Sequence, residues 1–243
     1  MGALGMYILL VSLGTLPSLI WLGYWLRKDC HPEPKVLIAK VLLFGIMLSP
    51  LAIVLQLLFV QFAARLFGVA TATLSDGPGF YLWAAFVEEI IKYLAVYFVV
   101  LRSPEFDEPV DAMIYMLTAA LGFAAMENIL VINRVLGDGL SATVGLWSLR
   151  FAGATLLHAL SSALLGYFIA LAWYYFDHRR ALFVIGLSLA TVFHWAFNLF
   201  ISQMHQSISL FFSTILLMAM AFLVSTLFDK IKERDGQVTP TIV

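Results

Sequence analysis

Two adjacent glutamates and a lysine lie in the middle of an apolar segment, and this combination restricts the fold more than any other feature. Glu88, Glu89 and Lys92 fall within Phe80–Leu101, which is long enough to cross a lipid bilayer as a helix. Each ionisable side chain at that depth costs about 2.5–3.5 kcal/mol on insertion scales. A chain with no use for these groups would be expected to carry leucine or valine there. The segment is therefore predicted to hold a functional site.

The whole chain has the composition of a membrane protein. Of its 243 residues, 62% are hydrophobic and 12% are charged, and the mean hydropathy is +0.95. Soluble domains contain about 45–50% apolar and about 25% charged residues. We therefore predict an all-α fold, a polytopic bundle of transmembrane helices in a lipid bilayer. The net charge of −1 gives no support for nucleic-acid binding, and no nucleic acid is expected as a partner.

Apolar segments predict about seven membrane spans, and an eighth is left open. The segments are Met6–Leu26, Val36–Ala64, Phe80–Leu101, Ala112–Asn133, Phe151–Phe176, Leu182–Gln203 and Ile208–Phe228. No linker divides the sequence into two compositions. Residues 1–228 are therefore predicted to form a single integral-membrane domain, followed by a short cytoplasmic tail over residues 229–243.

The distribution of lysine and arginine predicts the orientation. Of the fourteen, ten fall in the odd-numbered connections and the tail. Three, Arg65, Arg134 and Arg150, fall on the other side, and Lys92 lies within a span. Because positive residues concentrate on the cytoplasmic side, the amino terminus is expected outside and the tail inside. The membrane is expected to be a bacterial-type cytoplasmic membrane.

Six polar side chains from four predicted spans lie at one depth, in the outer half of the membrane. With this orientation, Glu127 lies about 6 Å outward of the centre of its span, at about 1.5 Å per residue. The other five lie at similar heights on the third, fifth and sixth spans. The six candidate catalytic residues are Glu88, Glu89, Glu127, His158, His194 and Asn198.

The chemistry that such a set favours is hydrolysis. A carboxylate in a low-dielectric pocket is a competent base toward water, and two neighbouring carboxylates can divide into one acid and one base. Histidine and asparagine can hold the water or donate to a developing oxyanion. Lys92 is expected to balance charge, and the sequence does not rank Glu88 against Glu89.

Other interpretations stay open at this point. The polar residues could serve a proton- or ion-coupled transporter, since buried glutamates and histidines also occur in pumps. They could equally stabilise a membrane scaffold without catalysis. Ser161 and Ser162, which follow His158 by one turn, are assigned to helix packing rather than to a nucleophile.

Four motifs together resemble the PrsW family of intramembrane proteases, which is related to the CAAX-protease and bacteriocin-processing superfamily. The motifs are Glu88-Glu89-x-x-Lys92, Phe123-x-x-x-Glu127-Asn128, His158 and His194-x-x-x-Asn198. The loop Tyr24–Pro34, with its Pro32-Glu33-Pro34 run, is similar to the family's amino-terminal signature. The CAAX relatives carry histidine at the position of Glu127.

The resemblance implies an endopeptidase that cuts a single-span membrane protein, such as an anti-sigma factor in a stress response, near the extracytoplasmic side. The catalytic residues would then be positioned by neighbouring side chains that do not touch the substrate: Lys92, Asn128 and Phe123. Water held without metal and water held by a divalent metal such as zinc are both left open. If a metal is bound, the expected ligands are Glu127, His158 and His194.

Overall fold

The computed structural model describes residues 3–29 and 31–238, and this part of the chain is helical without strands. The helices are α1 (Ala3–Leu26), α2 (Lys35–Phe67), α3 (Thr71–Ser75), α4 (Pro78–Val99), α5 (Asp111–Val135), α6 (Leu140–Leu149), α7 (Thr155–Tyr174), α8 (Arg179–Gln203) and α9 (Gln206–Val238). A π-helical segment, Arg150–Ala154, joins α6 to α7 without a break.

The predicted fold class, an all-α polytopic bundle, is confirmed. In the described part of the chain, six helices are long and apolar enough to cross a membrane: α1, α2, α5, the continuous α6–α7 helix, α8 and α9. Helix α4 has 22 residues but carries Glu88, Glu89 and Lys92, and it packs against α2, α5 and α8. The helices thus cover all seven predicted segments, and the orientation across the membrane stays a prediction.

Two helices extend furthest beyond their predicted limits, whereas the other ends differ by no more than a few residues. The fifth predicted segment begins at Phe151, whereas the helix begins at Leu140, after a tight turn in which Gly139 has a φ of 106°. Only glycine adopts this backbone conformation readily. Helix α9 continues through Phe228 into the predicted tail, of which residues 239–243 lie outside the described residues. The division between residues 1–228 and 229–243 stays a prediction.

Helix α5 lies at the centre of the bundle, and α2 crosses it in backbone contact. A Cβ atom on Gly45 of α2 would lie 2.2 Å from the carbonyl oxygen of Ala119, and one on Gly122 of α5 would lie 2.1 Å from that of Leu42. Small residues allow membrane helices to approach this closely. On the far side, α5 packs against α7, and α7 against α8. The inward faces of α4, α5, α7 and α8 therefore surround one interior volume.

Candidate active site

Helix α4 buries its charged residues in the interior of the bundle, while apolar side chains such as Leu82 and Phe86 are exposed on its outer face. Glu88 is 7% exposed, Glu89 and Lys92 are fully buried, and Phe86 is 39% exposed. Charged groups in membrane helices face the bundle interior because contact with lipid is expensive. The interior therefore receives two carboxylates and one ammonium group from a single turn of helix.

The Glu89 carboxylate accepts hydrogen bonds from four side chains. Its Oε1 accepts from Lys92 Nζ at 2.7 Å, from Ser161 Oγ at 2.9 Å and from His194 Nδ1 at 2.9 Å. Its Oε2 accepts from Ser162 Oγ at 2.7 Å. This arrangement leaves Glu89 without a free oxygen to act as a base. The two serines therefore do more than pack helices, since they complete the coordination of a buried carboxylate.

The neighbouring Glu88 carboxylate has a different environment. Its Oε1 accepts from Gln56 Nε2 at 3.0 Å, while its buried Oε2 has no hydrogen-bond partner among the described residues. That oxygen faces His194 Nε2 at 3.5 Å. Because His194 donates its Nδ1–H to Glu89, its Nε2 carries a lone pair. Two acceptors thus face each other, which suits a cation or a water molecule between them.

His158 lies between Glu127 and the space that Glu88 and His194 face. Its Nδ1 lies 2.9 Å from Lys92 Nζ and 3.8 Å from Glu88 Oε2, and its Nε2 lies 2.8 Å from Glu127 Oε2. Because the ammonium group can only donate, Nδ1 accepts and Nε2 carries the ring proton. The ring stands edge-on to that of His194, with centroids 4.9 Å apart. The neutral ring thus separates two carboxylates.

Glu127 is the most accessible carboxylate of the set. Arg150 Nη2 donates to its Oε2 at 2.7 Å, and its Oε1 makes no hydrogen bond with any residue that the structure describes. The Glu127 side chain is 33% exposed. Behind it, Arg150 Nε donates to Asn128 Oδ1, and Asn128 Nδ2 donates to Thr155 Oγ1 at 3.0 Å. Asn128 thus supports the arginine that holds Glu127.

The two remaining predicted residues have unequal contacts. Phe123 is buried, with its ring 5.7 Å from the His158 ring and 5.1 Å from Lys92 Nζ. Asn198 lies one turn after His194 and is half-buried, and its side chain makes no hydrogen bond to the described residues of the site. Five predicted catalytic residues are therefore joined in one contact network, and Asn198 lies beside it.

Sequence reasoning missed two members of the network, Gln56 and Arg150. Gln56 is one of two amides, with Gln61, in an apolar stretch of α2, which was a usable signal because an amide at that depth needs a partner. Arg150 was counted as a charge outside the membrane. The structure instead directs its guanidinium inward to Glu127.

One ligand atom from each of Glu88, His158 and His194 lies within 4.8 Å of the others. The unpartnered Glu88 Oε2 and the free Nε2 of His194 fit a cation, and Glu89 orients His194 as carboxylates orient metal-bound histidines. His158 could complete this set only if its Nδ1 were free of Lys92 Nζ, which lies 2.9 Å away. The set differs from the expected one because Glu127 is held on the opposite edge of His158 by Arg150.

The loop that carries the Pro32-Glu33-Pro34 signature lies at the other end of α5. Tyr115 donates its hydroxyl hydrogen to Glu33 Oε2, and Tyr115 precedes Glu127 by about 18 Å of helix. Burial raises the pKa of Glu33. The Nδ1 atom of the exposed His31 lies 2.8 Å from Glu108 Oε1, and the hydrogen bond and charge of Glu108 raise the pKa of this histidine. The described residues of this loop make no hydrogen bond or ion pair with the network around Glu88 and Glu127, and its contacts stabilise the opposite end of the bundle.

Comparison with known proteins gives a consistent result. The family described as "PrsW family intramembrane metalloprotease" matches residues 33–226. Protease PrsW of Geobacillus kaustophilus is 31% identical over 191 residues, which cover 76% of this chain and 78% of that protein. Protease PrsW of Oceanobacillus iheyensis is 27% identical over 78% of this chain and 81% of its own length.

Protease PrsW of Bacillus subtilis is 23% identical, covering 80% of this chain and 84% of that protein. No solved structure matches the chain significantly. The resemblance predicted from the four motifs is thus confirmed, and the protein is a membrane-embedded protease rather than a transporter or a scaffold. The chain belongs to the PrsW family of intramembrane metalloproteases.

Proposed function

We propose that this protein cleaves a single-span membrane protein near the extracytoplasmic side of a bacterial cytoplasmic membrane. The observation that supports this best is the buried, unpartnered Glu88 Oε2 facing the free Nε2 of His194. The position between them suits an activated water, and the site leads through His158 to the accessible Glu127.

Glu88, His158 and His194 would hold a divalent cation. When bound, the ion would polarise the attacking water and the peptide carbonyl as a Lewis acid. Two imidazoles and one carboxylate are the donor set of several hydrolytic zinc enzymes, so we propose zinc. Glu89 contributes by fixing the tautomer of His194, with Nδ1 protonated and Nε2 free.

Glu127 is proposed as the proton carrier. Its Oε1 accepts a proton from the water as the water oxygen bonds to the carbonyl carbon. It then delivers that proton to the leaving nitrogen as the carbon–nitrogen bond breaks. Arg150 and His158 hold the other oxygen, Oε2, and so leave Oε1 free to accept the proton. The amide of Asn198 is available to donate to the oxyanion.

The proposed substrate class is a single-span protein of the anti-sigma-factor type. Cleavage of such a protein outside the cytoplasm would start a stress response. Support comes from the depth of the site, which lies on membrane helices, and from family membership. A soluble peptide would have to leave water to reach the site, whereas a span is already in the membrane.

The first experiment co-expresses a tagged single-span substrate with the wild-type chain or with variants. Glu127→Gln should abolish the cleaved fragment at an unchanged protein level, because the amide cannot accept the proton. Glu105→Gln, in an exposed loop, is the matched control and should cleave normally. Normal cleavage by Glu127→Gln would contradict the proposed proton carrier.

A second experiment tests the side of the membrane. In a background with Cys30→Ser, single cysteines at Gly137 and Glu105 are treated with a membrane-impermeant maleimide in intact cells. Gly137→Cys should react, because it lies on the predicted outer side and has open space around its Cα. Glu105→Cys should react only after permeabilisation. The reverse pattern would place the site near the cytoplasm.

A further inference from the structure

A cavity of about 610 Å³ lies between α2 and α5 beside the site, with α3 and Phe80 of α4 completing its wall. The two helices touch at Gly45 and Gly122, and the cavity lies beyond this crossing, where they have separated. The residues that matter here are Gln56, Leu57 and Gln61 of α2 and Glu127, Leu130 and Arg134 of α5; they define what we name the α2–α5 groove.

The α2–α5 groove is continuous with the active site. Glu127 lines the groove and also contacts His158 Nε2 at 2.8 Å. Gln56 lines it too and donates to Glu88 Oε1 at 3.0 Å. A chain lying in the groove would therefore pass directly beside the proposed proton carrier.

The lining favours an extended peptide over a lipid chain. Gln56 and Gln61 provide amide groups about 7.5 Å apart along α2, and Leu57 and Leu130 provide apolar surface. A peptide backbone that leaves its helix within a membrane needs hydrogen-bond partners there, because lipid offers none. An acyl chain has no group that would pair with the Gln61 amide or with the Gln56 carbonyl, since the Gln56 NH₂ group already donates to Glu88.

Arg134 gives the outer end of the groove a positive charge. It is exposed, and it makes no ion pair or hydrogen bond with the residues that the structure describes, whereas Arg150 is neutralised by Glu127. Arg134 follows Glu127 by seven residues on α5, which places both on one helix face about 10 Å apart. That distance equals about three residues of extended chain.

We propose that the α2–α5 groove binds the extended stretch beside the scissile bond, and that Arg134 binds an aspartate or glutamate of the substrate about three residues outward of that bond. This inference rests on the proposed protease function and assigns it a sequence preference. Arg134 is a specificity residue here and takes no part in the bond-breaking step.

The test uses the full-length protein in liposomes and a single-span substrate with one glutamate placed one to six residues outward of the scissile bond. The matched substrate carries glutamine at the same position. The wild type should prefer glutamate at position two, three or four by about fivefold in kcat/KM, the upper range for an exposed ion pair. Arg134→Gln should remove this preference, and Arg134→Glu should favour lysine there.

Arg65→Gln, an exposed arginine on α2 outside the groove lining, is the control and should keep the preference. Cleavage with no preference at any position would overturn the inference and leave the protease function intact. Binding is measured separately with the Glu88→Gln variant, so that the result does not depend on cleavage. Equal affinity for the glutamate and glutamine substrates would overturn the inference, and about fivefold tighter binding of the former would support it.

Discussion

Glu88 and Glu89 are neighbours in the sequence and differ in almost every other respect. Glu89 lies in a closed region where Lys92, Ser161, Ser162 and His194 donate to both of its oxygens. Glu88 is also buried, but with Glu127 it belongs to the part of the network that borders the α2–α5 groove, which we call the open region; its Oε2 has no hydrogen-bond partner among the described residues. The difference teaches that the number of donors around a buried carboxylate, rather than its place in a motif, decides whether it organises a site or reacts in it.

The largest effect should follow from changes in the open region. Glu127→Gln should lower kcat/KM by about 10²–10⁴, the usual contribution of a general base. Glu88→Gln should also inactivate the protein. In the metal-free proteins it should leave the free energy of unfolding equal or higher, because an unpartnered buried carboxylate is costly. The measurements are cleavage of a reconstituted substrate and unfolding in detergent. A Glu88→Gln protein that cleaves normally would remove the distinction between the two regions.

The closed region should lose stability instead. Lys92→Met or Glu89→Gln breaks a buried ion pair and should cost about 3–5 kcal/mol of unfolding free energy. The double variant should cost less than the sum of the two, because neither charge is then left alone. An SDS unfolding titration of the four proteins measures this coupling. Additive costs would show that the pair is not a unit.

Removal of the proposed metal should affect only the open region, which contains the proposed ligand Glu88. Purified wild type should contain about one zinc per chain, and chelation should lower its unfolding free energy by about 2.7 kcal/mol if the metal was present at a hundredfold its Kd. Glu88→Gln, which loses a proposed ligand, should contain little zinc and respond little to the chelator. Metal analysis and thermal unfolding of both proteins provide the check. Equal zinc contents would exclude Glu88 as a ligand.

The smallest effect concerns the serines. Ser161→Ala and Ser162→Ala should each cost about 1 kcal/mol, close to the range for side-chain hydrogen bonds in membranes, since Glu89 keeps three other donors. Ser148→Ala is the matched control, because that exposed hydroxyl donates only to Val144 O of its own helix. Detergent unfolding measures the difference, and a loss of cleavage with unchanged stability in Ser161→Ala would instead indicate a catalytic hydroxyl.

Much of the site could be predicted because charge at membrane depth is expensive. That cost identified Glu88, Glu89, Glu127, His158 and His194 without knowledge of their contacts. The ranking of Glu88 and Glu89 could not be predicted, since it depends on donors that lie more than seventy residues away in sequence, on α7 and α8. The helical bundle itself followed from hydropathy.

Arg150 shows more clearly what could not be predicted from the sequence. Its charge and its position near a segment boundary are typical of a residue in water, and only the tertiary fold directs it to Glu127. Gln56 escaped notice because one amide in an apolar helix is common at helix contacts. Neither residue belongs to a motif of the family resemblance.

The π-helical segment Arg150–Ala154 has a consequence for comparing this chain with its relatives. Arg150 and His158 both contact Glu127 although they are eight residues apart. In an uninterrupted α-helix, eight residues turn by about 800°, which would leave the two side chains about 80° apart. The wider turn takes in one extra residue, about 100° of rotation, and reduces the angle to about 20°. A homologue that lacks this one residue and continues as a regular α-helix would carry its arginine seven residues before the histidine, about 700° of rotation, and would keep both side chains on one face. The arginine of a relative is therefore to be sought seven or eight residues before the histidine, according to whether the extra residue is present.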